Sequence, residues 1–288
     1  MHSSQKQKLE CALYVVATPI GNMRDITLRA LDVLGSADTI AAEDTRNSAH
    51  LLTHHGITAK RLLALHQHNE RGAADKVINL LAQGEAVALI TDAGTPAVSD
   101  PGALVVESVR AAGYKVIPIP GANAAVAALS AAGLAAPHFL FYGFLPNKSA
   151  ARCKELQCLI EHPYTLVFYE APHRILECVE DLLSVFGGER EIVLAREISK
   201  LFESIHRCRL DEAMAWLNSD PNNLRGEFVL LVSAAPKRSE GLSAETEQVL
   251  GILLRELSLK QAVQLAVQIT GVARNELYQR ALTLKPVE

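Results

Sequence analysis

Short runs of aliphatic and β-branched residues alternate along the chain with longer segments in which apolar residues recur every three or four positions. In the first half of the chain, the short runs predict five strands, at residues 12–18, 39–42, 62–65, 86–91 and 115–119. The longer segments between them predict helices, among them residues 27–34, 70–82 and 103–112. This alternation is typical of β-α-β units and therefore predicts a parallel sheet.

A second series of strands and helices follows. Its predicted strands are residues 139–143, 165–169, 192–195, 203–208 and 228–233, and its predicted helices are 151–160, 175–186 and 211–217. The link between residues 195 and 203 is too short for a crossover helix, so these two strands should be antiparallel and the second sheet mixed. The pattern favours two α/β sheets over one large α/β barrel, which the chain length would also permit.

The pattern changes again after Ala235. A polar segment that contains Pro236 and Gly241 precedes a purely helical pattern over residues 244–284. Within it, residues 259–269 and 275–284 predict two short amphipathic helices around a turn at Gly271, which is the layout of a helix-turn-helix. A solvated dimerisation or capping element fits equally well. We therefore predict an α/β domain over 12–121, a second over 122–236, and a helical appendage over 242–285.

Composition narrows the class of protein. The 288 residues include 28 Lys and Arg against 32 Asp and Glu, a net charge of −4, which excludes a uniformly basic nucleic-acid binder. Five cysteines without a C-x-x-C pair argue against a disulfide scaffold and for a reducing compartment. We find no signal-peptide pattern at the N-terminus and no apolar run long enough to cross a bilayer, so we expect a cytoplasmic protein.

Polar, glycine and proline residues cluster directly after each of the first five predicted strands. The clusters are residues 18–22, 43–46, 66–70, 91–102 and 118–123. Each one alone is compatible with an ordinary loop between a strand and a helix. Because the carboxyl ends of parallel strands lie at the same edge of a sheet, the five together predict one binding crevice.

The chemistry of this crevice is narrowed by the motifs that the sequence lacks. It has neither a P-loop nor the dinucleotide-binding G-x-G-x-x-G motif, which disfavours a nucleoside triphosphate. Single glycines beside prolines suit rigid turns whose backbone groups could hold an uncharged adenosine with an amino-acid tail. His66 and His68 lack a third ligand, so we expect no metal. No nucleophile motif supports covalent catalysis.

Seven motifs in this order resemble the ribosomal RNA small subunit methyltransferase I family. They are T-P-I-G-N, A-A-E-D-T-R, H-x-H-N-E, D-A-G-T-P-x-x-x-D-P-G, S-A-A-G-L, G-F-L-P and E-A-P-H-R. The resemblance implies a tetrapyrrole-methylase-like α/β fold with two domains and S-adenosylmethionine as cofactor. It further implies 2′-O-methylation of a cytidine ribose in 16S ribosomal RNA of the small subunit, by a homodimer. The resemblance spans about residues 13–284, including the helical tail.

Carried over residue by residue, the resemblance implies a cofactor site and a substrate site. The implied cofactor contacts are Pro19, Asp92, Gly94, Thr95, Pro96, Val98, Gly121, Ala122, Asn123, Ala124, Phe168, Tyr169 and Ala195. A ribose hydroxyl is a weak nucleophile at neutral pH, so a general base or a stabilising cation is needed beside it. Our candidates for these roles are Glu43, His66 and Lys200, with Asp44 and Glu227 also at the predicted rim.

Local positive charge would compensate for the acidic total. Arg46, Arg174, Arg274 and Arg280 are the candidates for contacts with RNA phosphates, although structural ion pairs are the alternative for the arginines of the second sheet. Two other functions stay open. The chain could be a porphyrinoid methylase of the same fold, acting on carbon, or a non-catalytic RNA-binding protein of ribosome assembly.

Overall fold

The computed structural model describes residues 8–66, 69–135, 137–236, 242 and 244–284. Its first five strands form one parallel sheet with the order β3-β2-β4-β1-β5. They are β1 (Leu13–Val16), β2 (Thr39–Ala42), β3 (Leu62–Ala64), β4 (Val87–Ile90) and β5 (Val116–Ile119). Every residue of β2 and β4 is buried, as expected for central strands with helices on both faces.

Four helices cover this sheet. They are α1 (Leu28–Ser36), α2 (Thr45–His54), α3 (Glu70–Ala82) and α4 (Ala103–Ala111). Successive side chains of a strand point to opposite faces, so Tyr14 packs into the core beneath α1 and α2. Its neighbour Leu13 packs into the opposite core, with α3 and α4. The predicted parallel sheet is confirmed.

The second sheet also has five strands, in the order β6-β7-β10-β8-β9. They are β6 (Phe139–Phe144), β7 (Thr165–Glu170), β8 (Glu191–Arg196), β9 (Ser204–Arg209) and β10 (Phe228–Val232). Among the strands of the described residues, β6 and β7 pair in parallel, while β7–β10, β10–β8 and β8–β9 are antiparallel. The mixed character predicted from the short link after β8 is therefore confirmed, and β9 is left at one edge.

Helices cover both faces of the second sheet as well. They are α5 (Ala124–Ala131), α6 (Ser149–Gln157), α7 (Ile175–Phe186) and α8 (Leu210–Ser219). The larger core contains α6, α7 and α8 packed against Phe168 and Leu230. On the other face, α5 packs its small residues Ala125 and Ala128 against Val167 and Val229. These small side chains let α5 lie close to the sheet.

The chain divides into two compact units, Met1–Ala235 and Pro236–Glu288. The second unit contains α9 (Ala244–Glu256), α10 (Leu259–Thr270) and α11 (Arg274–Leu284). Its core includes Leu250, Val263 and Leu277, one from each helix. The two predicted amphipathic helices and the turn at Gly271 are confirmed. The boundary between residues 121 and 122 stays a prediction. No helix in the described ranges has the length and hydropathy of a membrane span.

Candidate functional site

A cavity of about 300 Å³ lies in the first unit. The loops that follow β1, β4 and β8 line it together with the start of α5, the ends of β6 and β7, and the start of β10. Its lining residues are Ile20, Ala93, Gly94, Thr95, Val98, Asp100, Asn123, Ala124, Phe144, Tyr169, Glu170, Ala171, Pro172, Ile198, Lys200, Glu227, Phe228 and Val229. Both sheets therefore contribute to one largely apolar cavity.

A second, more polar cavity of about 460 Å³ adjoins the first. It is lined by Pro19, Ile20, Gly21, Met23, Asn47, His50, Leu51, Asp92, Ala93, Lys200 and Glu227. Four residues belong to both linings: Ile20, Ala93, Lys200 and Glu227. The two charged side chains of this shared edge, Lys200 and Glu227, form an ion pair with an Nζ–Oε2 distance of 2.8 Å.

The loop after β4 is held to the loop after β1. Thr18 and Gly94 exchange backbone hydrogen bonds, and the hydroxyl of Thr18 donates to the carbonyl of Thr91 at 3.1 Å. Further along the loop, Ala97 and Ser99 have positive φ angles of 66° and 99°. Such angles are costly for residues with a side chain and are maintained only where the surroundings enforce them. The backbone that lines the first cavity is thus rigidly specified.

Glu70, from the H-x-H-N-E motif, supports the same loop from outside. Its carboxylate accepts hydrogen bonds from the backbone N–H groups of Gly102 and Leu104, at 2.7 and 3.0 Å. These groups begin α4, so Glu70 provides the side-chain cap that Gly102 cannot. The motif after β3 therefore acts on the site through the position of the 92–102 loop.

Asp92 connects this loop to the start of α2. One carboxylate oxygen accepts the backbone N–H of Asp44 at 3.2 Å, and the other accepts the amide of Asn47 at 2.8 Å. Glu43 lies behind, with a carboxylate oxygen 3.4 Å from the backbone nitrogen of Asp92. Burial, and then the charges of Asp92 and Asp44, raise the pKa of Glu43.

Asp100 is an acidic side chain of the first cavity whose pKa is shifted from its ordinary value. Burial, together with the negative charges of Glu43 and Asp92, raises the pKa of Asp100 to about 6. A carboxylate that is disfavoured in this way gains from a positively charged ligand next to it. The cavity is therefore electrostatically suited to a cation.

The N-terminus of α5 forms the opposite wall. The side chain of Asn123 caps the helix by accepting the N–H of Val126 at 3.1 Å, and Tyr169 Oη accepts the N–H of Ala125 at 3.2 Å. The hydroxyl of Thr95 donates to the carbonyl of Ala122 at 3.1 Å. Loops from both sheets are thus joined by hydrogen bonds around the cavity.

The structure brings many of the predicted cofactor residues together. Gly94, Thr95, Val98, Asn123, Ala124 and Tyr169 line the first cavity, and Pro19 and Asp92 line the second. Pro96, Gly121, Ala122, Phe168 and Ala195 line neither of these two cavities. Phe168 is fully buried in the core below β7, where its ring lies 5.7 Å from that of Tyr142, and Ala195 is fully buried on the other face of the sheet. Their roles as cofactor contacts stay predictions.

One of the three predicted catalytic residues lines the cavities. Lys200 lies at the shared edge of the cavities, whereas Glu43 and His66 are absent from the lining of both. The backbone N–H of His66 donates to the side chain of Asn69 at 2.9 Å, which closes the loop after β3. His68 lies outside the described residues.

The predicted RNA-binding arginines have different environments. The side chain of Arg46 is 89% exposed and pairs with Asp44, whose pKa it lowers to about 2. Arg174 is only 14% exposed, because it pairs with Glu170 at 3.1 Å and donates to the carbonyl of Leu145 at 2.8 Å. The E-A-P-H-R motif is therefore tied to the G-F-L-P motif. In the second unit, Arg274 is exposed at the start of α11, and Arg280 pairs with Glu247 at 2.6 Å.

Several lining residues were not among the predicted site residues. They include Ile20, Asp100, Phe144, Ile198, Phe228 and Val229. Asp100 lies in the predicted crevice loop, but Asp-Pro-Gly was also compatible with an ordinary helix start. The apolar members lie in strands or in the loops after β1 and β8, and a hydrophobic residue there carries no signal that separates a cavity wall from the core.

Comparisons with known proteins identify relatives of this chain. Residues 12–214 match the family model of Tetrapyrrole (Corrin/Porphyrin) Methylases, and residues 240–285 match that of the RsmI C-terminal HTH domain. The chain is 54% identical to a ribosomal RNA small subunit methyltransferase I from Pseudomonas aeruginosa, over 94% of this chain and 96% of the relative. It is 48% identical to the protein of that name from Escherichia coli O157:H7, over 94% of each.

A solved structure shows the same fold. Uroporphyrin-III C-methyl transferase from Thermus thermophilus, complexed with S-adenyl homocysteine, superposes with a TM-score of 0.53 at 18% identity. The superposition covers 78% of this chain and 98% of that one. The two-domain fold class expected from the motifs is confirmed.

Proposed function

The chain belongs to the ribosomal RNA small subunit methyltransferase I family, and from that premise we propose that it methylates the 2′-hydroxyl of a cytidine in small-subunit ribosomal RNA. It is an S-adenosylmethionine-dependent methyltransferase, as its family and fold require. The observation that carries the finer proposal is the pair of adjoining cavities that meet at Lys200 and Glu227.

The first cavity fits S-adenosylmethionine. Its volume lies at the lower end of the range for small-molecule sites, about 300–1,000 Å³, and its apolar lining suits a nucleoside. Thr95, Asn123 and Tyr169 fix the turns whose backbone groups would hold the ligand. Asp100 offers a carboxylate to its positive charge. When bound, S-adenosylmethionine supplies an electrophilic methyl group on a cationic sulfur.

The second cavity would hold the target ribose. Lys200 donates from the shared edge, and although burial opposes its charge, hydrogen bonds to Glu197 and Glu227 raise its pKa. It therefore stays protonated and stabilises the oxygen that becomes negative, which a preorganised donor does well. Glu227 lines both cavities, whereas Glu43 and His66 line neither, so we place the proton acceptor at Glu227.

Contacts to RNA phosphates would come from exposed arginines. Arg46 lies on α2, the helix that contributes Asn47, His50 and Leu51 to the second cavity, and Arg274 and Arg280 lie on α11 of the helix-turn-helix unit. We also propose a cytoplasmic homodimer. The dimer is supported by the exposure of two neighbouring apolar side chains, Leu201 at 88% and Phe202 at 67%. The cytoplasmic location is supported by the five free cysteines, which suit a reducing compartment. Light scattering of the purified protein tests the dimer.

The decisive experiment offers the protein methyl-labelled S-adenosylmethionine with small ribosomal subunits, with naked 16S RNA, and with a porphyrinoid. Label at the 2′-oxygen of one cytidine supports the proposal. Label in the porphyrinoid favours a tetrapyrrole methylase, and RNA binding without cofactor binding favours a non-catalytic assembly protein. A reaction without the protein serves as the control for enzyme-dependent label.

A further inference from the structure

The loop between β8 and β9 places Lys200 at the shared edge of the two cavities. Lys200 Nζ lies 2.7 Å from Glu197 Oε1 and 2.8 Å from Glu227 Oε2. We propose that Glu197 is a positioning residue for methyl transfer, which fixes the ammonium group of Lys200 where the ribose oxygen loses its proton. This inference rests on the proposed function.

Glu197 is itself held by the backbone opposite. Its Oε1 accepts the N–H of Glu227 at 2.9 Å, and its own N–H donates to the carbonyl of Glu227 at the same distance. The side chain of Glu197 is 17% exposed, against 75% for Glu227. Of the two carboxylates that pair with Lys200, Glu197 is therefore the enclosed and fixed one.

The loop backbone is strained around this contact. Glu197 has a φ of 53° and Ser199 a φ of 64°, both in the left-handed region that favours glycine. Strain of this kind is concentrated at functional sites, where the surroundings enforce it. Ser199 is fastened on two sides, since its hydroxyl accepts the N–H of Asn22 at 3.2 Å and its N–H donates to Glu203 at 2.6 Å.

Two glycines leave the space that this arrangement needs. A Cβ at Gly226 would overlap the side chain of Glu197, and a Cβ at Gly21 would overlap Cγ of Lys200. Gly21 belongs to the loop after β1, and Gly226 precedes β10. The absence of a side chain at Gly21 and Gly226 therefore leaves room for the side chains of Lys200 and Glu197.

The effect of Glu197 on the position of the Lys200 ammonium group depends on the other charged groups around it. Glu197 and Glu227 contact its ammonium group, and Asp92 and His50 line the same cavity from the loop after β4 and from α2. Glu227 alone would leave the ammonium group paired with a carboxylate that is 75% exposed to solvent. Glu197 adds a fixed partner on the enclosed side, so the cation has one defined position.

The test is a double-mutant cycle between Glu197→Gln and Lys200→Met in the full-length protein. We expect Glu197→Gln to lower kcat about 10- to 100-fold with an unchanged KM for S-adenosylmethionine, as misplacement of a catalytic group does. In the Lys200→Met background it should lower kcat no further. Glu197→Asp, which keeps the charge at a shorter reach, should retain part of the rate.

Glu191→Gln is the matched control. It removes a carboxylate of β8, the strand that leads into this loop, where Glu191 pairs with Arg207 and has no contact with Lys200 in the described hydrogen bonds and ion pairs. We expect it to change kcat less than threefold. Additive losses in the cycle, or an equal loss of kcat in Glu191→Gln, would overturn the positioning role.

A second measurement separates this inference from the proposed function. Nitrogen-15 NMR of the Lys200 ammonium group reports its pKa without any substrate, and the pKa should fall in Glu197→Gln and stay unchanged in Glu191→Gln. An unchanged pKa in Glu197→Gln overturns the inference even if the wild type methylates RNA. A wild type that methylates no RNA overturns the proposed function, whatever the titration shows.

Discussion

Thr18 and Gly94 exchange two backbone hydrogen bonds, with N–O distances of 2.8 and 3.1 Å, and so join the loops that follow two neighbouring strands of the parallel sheet. Thr18 is 1% exposed, and its hydroxyl also donates to the carbonyl of Thr91. The wall of the first cavity is therefore built from two loops that cannot move independently.

We predict that Thr18→Val destabilises the protein by about 1–2 kcal/mol, because the isosteric change leaves a buried carbonyl without its donor. Urea unfolding gives the free energy. Thr53→Val on the exposed side of α2 is the matched control and should be within about 0.5 kcal/mol of the wild type. Equal stabilities of the two variants would contradict this account of the loop.

Arg174 should stabilise the fold and make no contact with RNA phosphates. Removal of one partner from a buried ion pair leaves the other charge uncompensated, so Arg174→Met should cost about 3 kcal/mol, measured by chemical unfolding. The salt dependence of RNA binding should not change. A stable Arg174→Met protein with weakened RNA binding would instead assign this arginine to phosphate contact.

Arg46 should contribute to RNA binding and not to the stability of the fold. Its side chain is 89% exposed, so Arg46→Met should leave the free energy of unfolding unchanged. If it contacts one phosphate, the slope of log affinity against log salt should decrease by about 0.7–0.9. Filter binding to 16S RNA between low and moderate salt measures this slope, and an unchanged slope would remove Arg46 from the interface.

Asp100 should make stability depend on pH. Its folded-state pKa of about 6 is above the value of 3.8 for a free side chain, so its ionisation opposes folding. The penalty is absent below about pH 4, grows as the pH rises to about 6, and is constant above. Asp100→Asn should therefore be more stable than the wild type by about 1 kcal/mol at pH 7.5, a value reduced for the side chain's remaining solvent contact, and equally stable at pH 4.

Thermal or urea unfolding of both proteins across this pH range measures the difference. The measurement is made without ligand, since a cation in the cavity would offset the penalty. A difference that stays constant with pH would show that Asp100 titrates normally in the folded protein.

The two arginines of α11 should differ in their contribution to RNA binding. Arg274→Glu reverses an exposed charge at the start of the helix and should weaken RNA binding about 3- to 10-fold at low salt. Arg280 already pairs with Glu247, so Arg280→Gln should have a smaller effect. Both variants should bind S-adenosylmethionine like the wild type in calorimetry, which separates loss of RNA contact from general damage.

Most elements could be predicted because their local pattern and their packing agree. The helices Glu70–Ala82 and Ile175–Phe186 have the predicted bounds, and Thr39–Ala42 does among the strands. The strand order could not be predicted, because it depends on which faces fit together across distant parts of the chain. Arg152 shows a further limit. It is fully buried beside Asp181 at 2.6 Å, and nothing local distinguishes it from a solvated arginine.

The site was predictable as a crevice and less so as a set of side chains. Residues after β1 and β4 were found from their glycines and prolines, since these specify turns locally. Glu197 carried no such signal, because its importance lies in a left-handed backbone and in a contact with Glu227, 30 residues away. Phe168 and Tyr169 are neighbours in β7, so their side chains point to opposite faces of the sheet. Which of the two lines the cavity depends on the face of β7 that is turned towards it, and this is Tyr169.

The position of β9 at the edge of the mixed sheet has a consequence for self-association. An exposed edge strand can pair with another chain, and proteins prevent this with charged side chains. Arg207 and Arg209 project from β9 and are engaged by Glu191 and Glu189. Addition of a strand here would place another chain beside these charged side chains and remove them from water, which is unfavourable. Copies of this chain should therefore resist sheet-to-sheet aggregation along this edge even at high concentration.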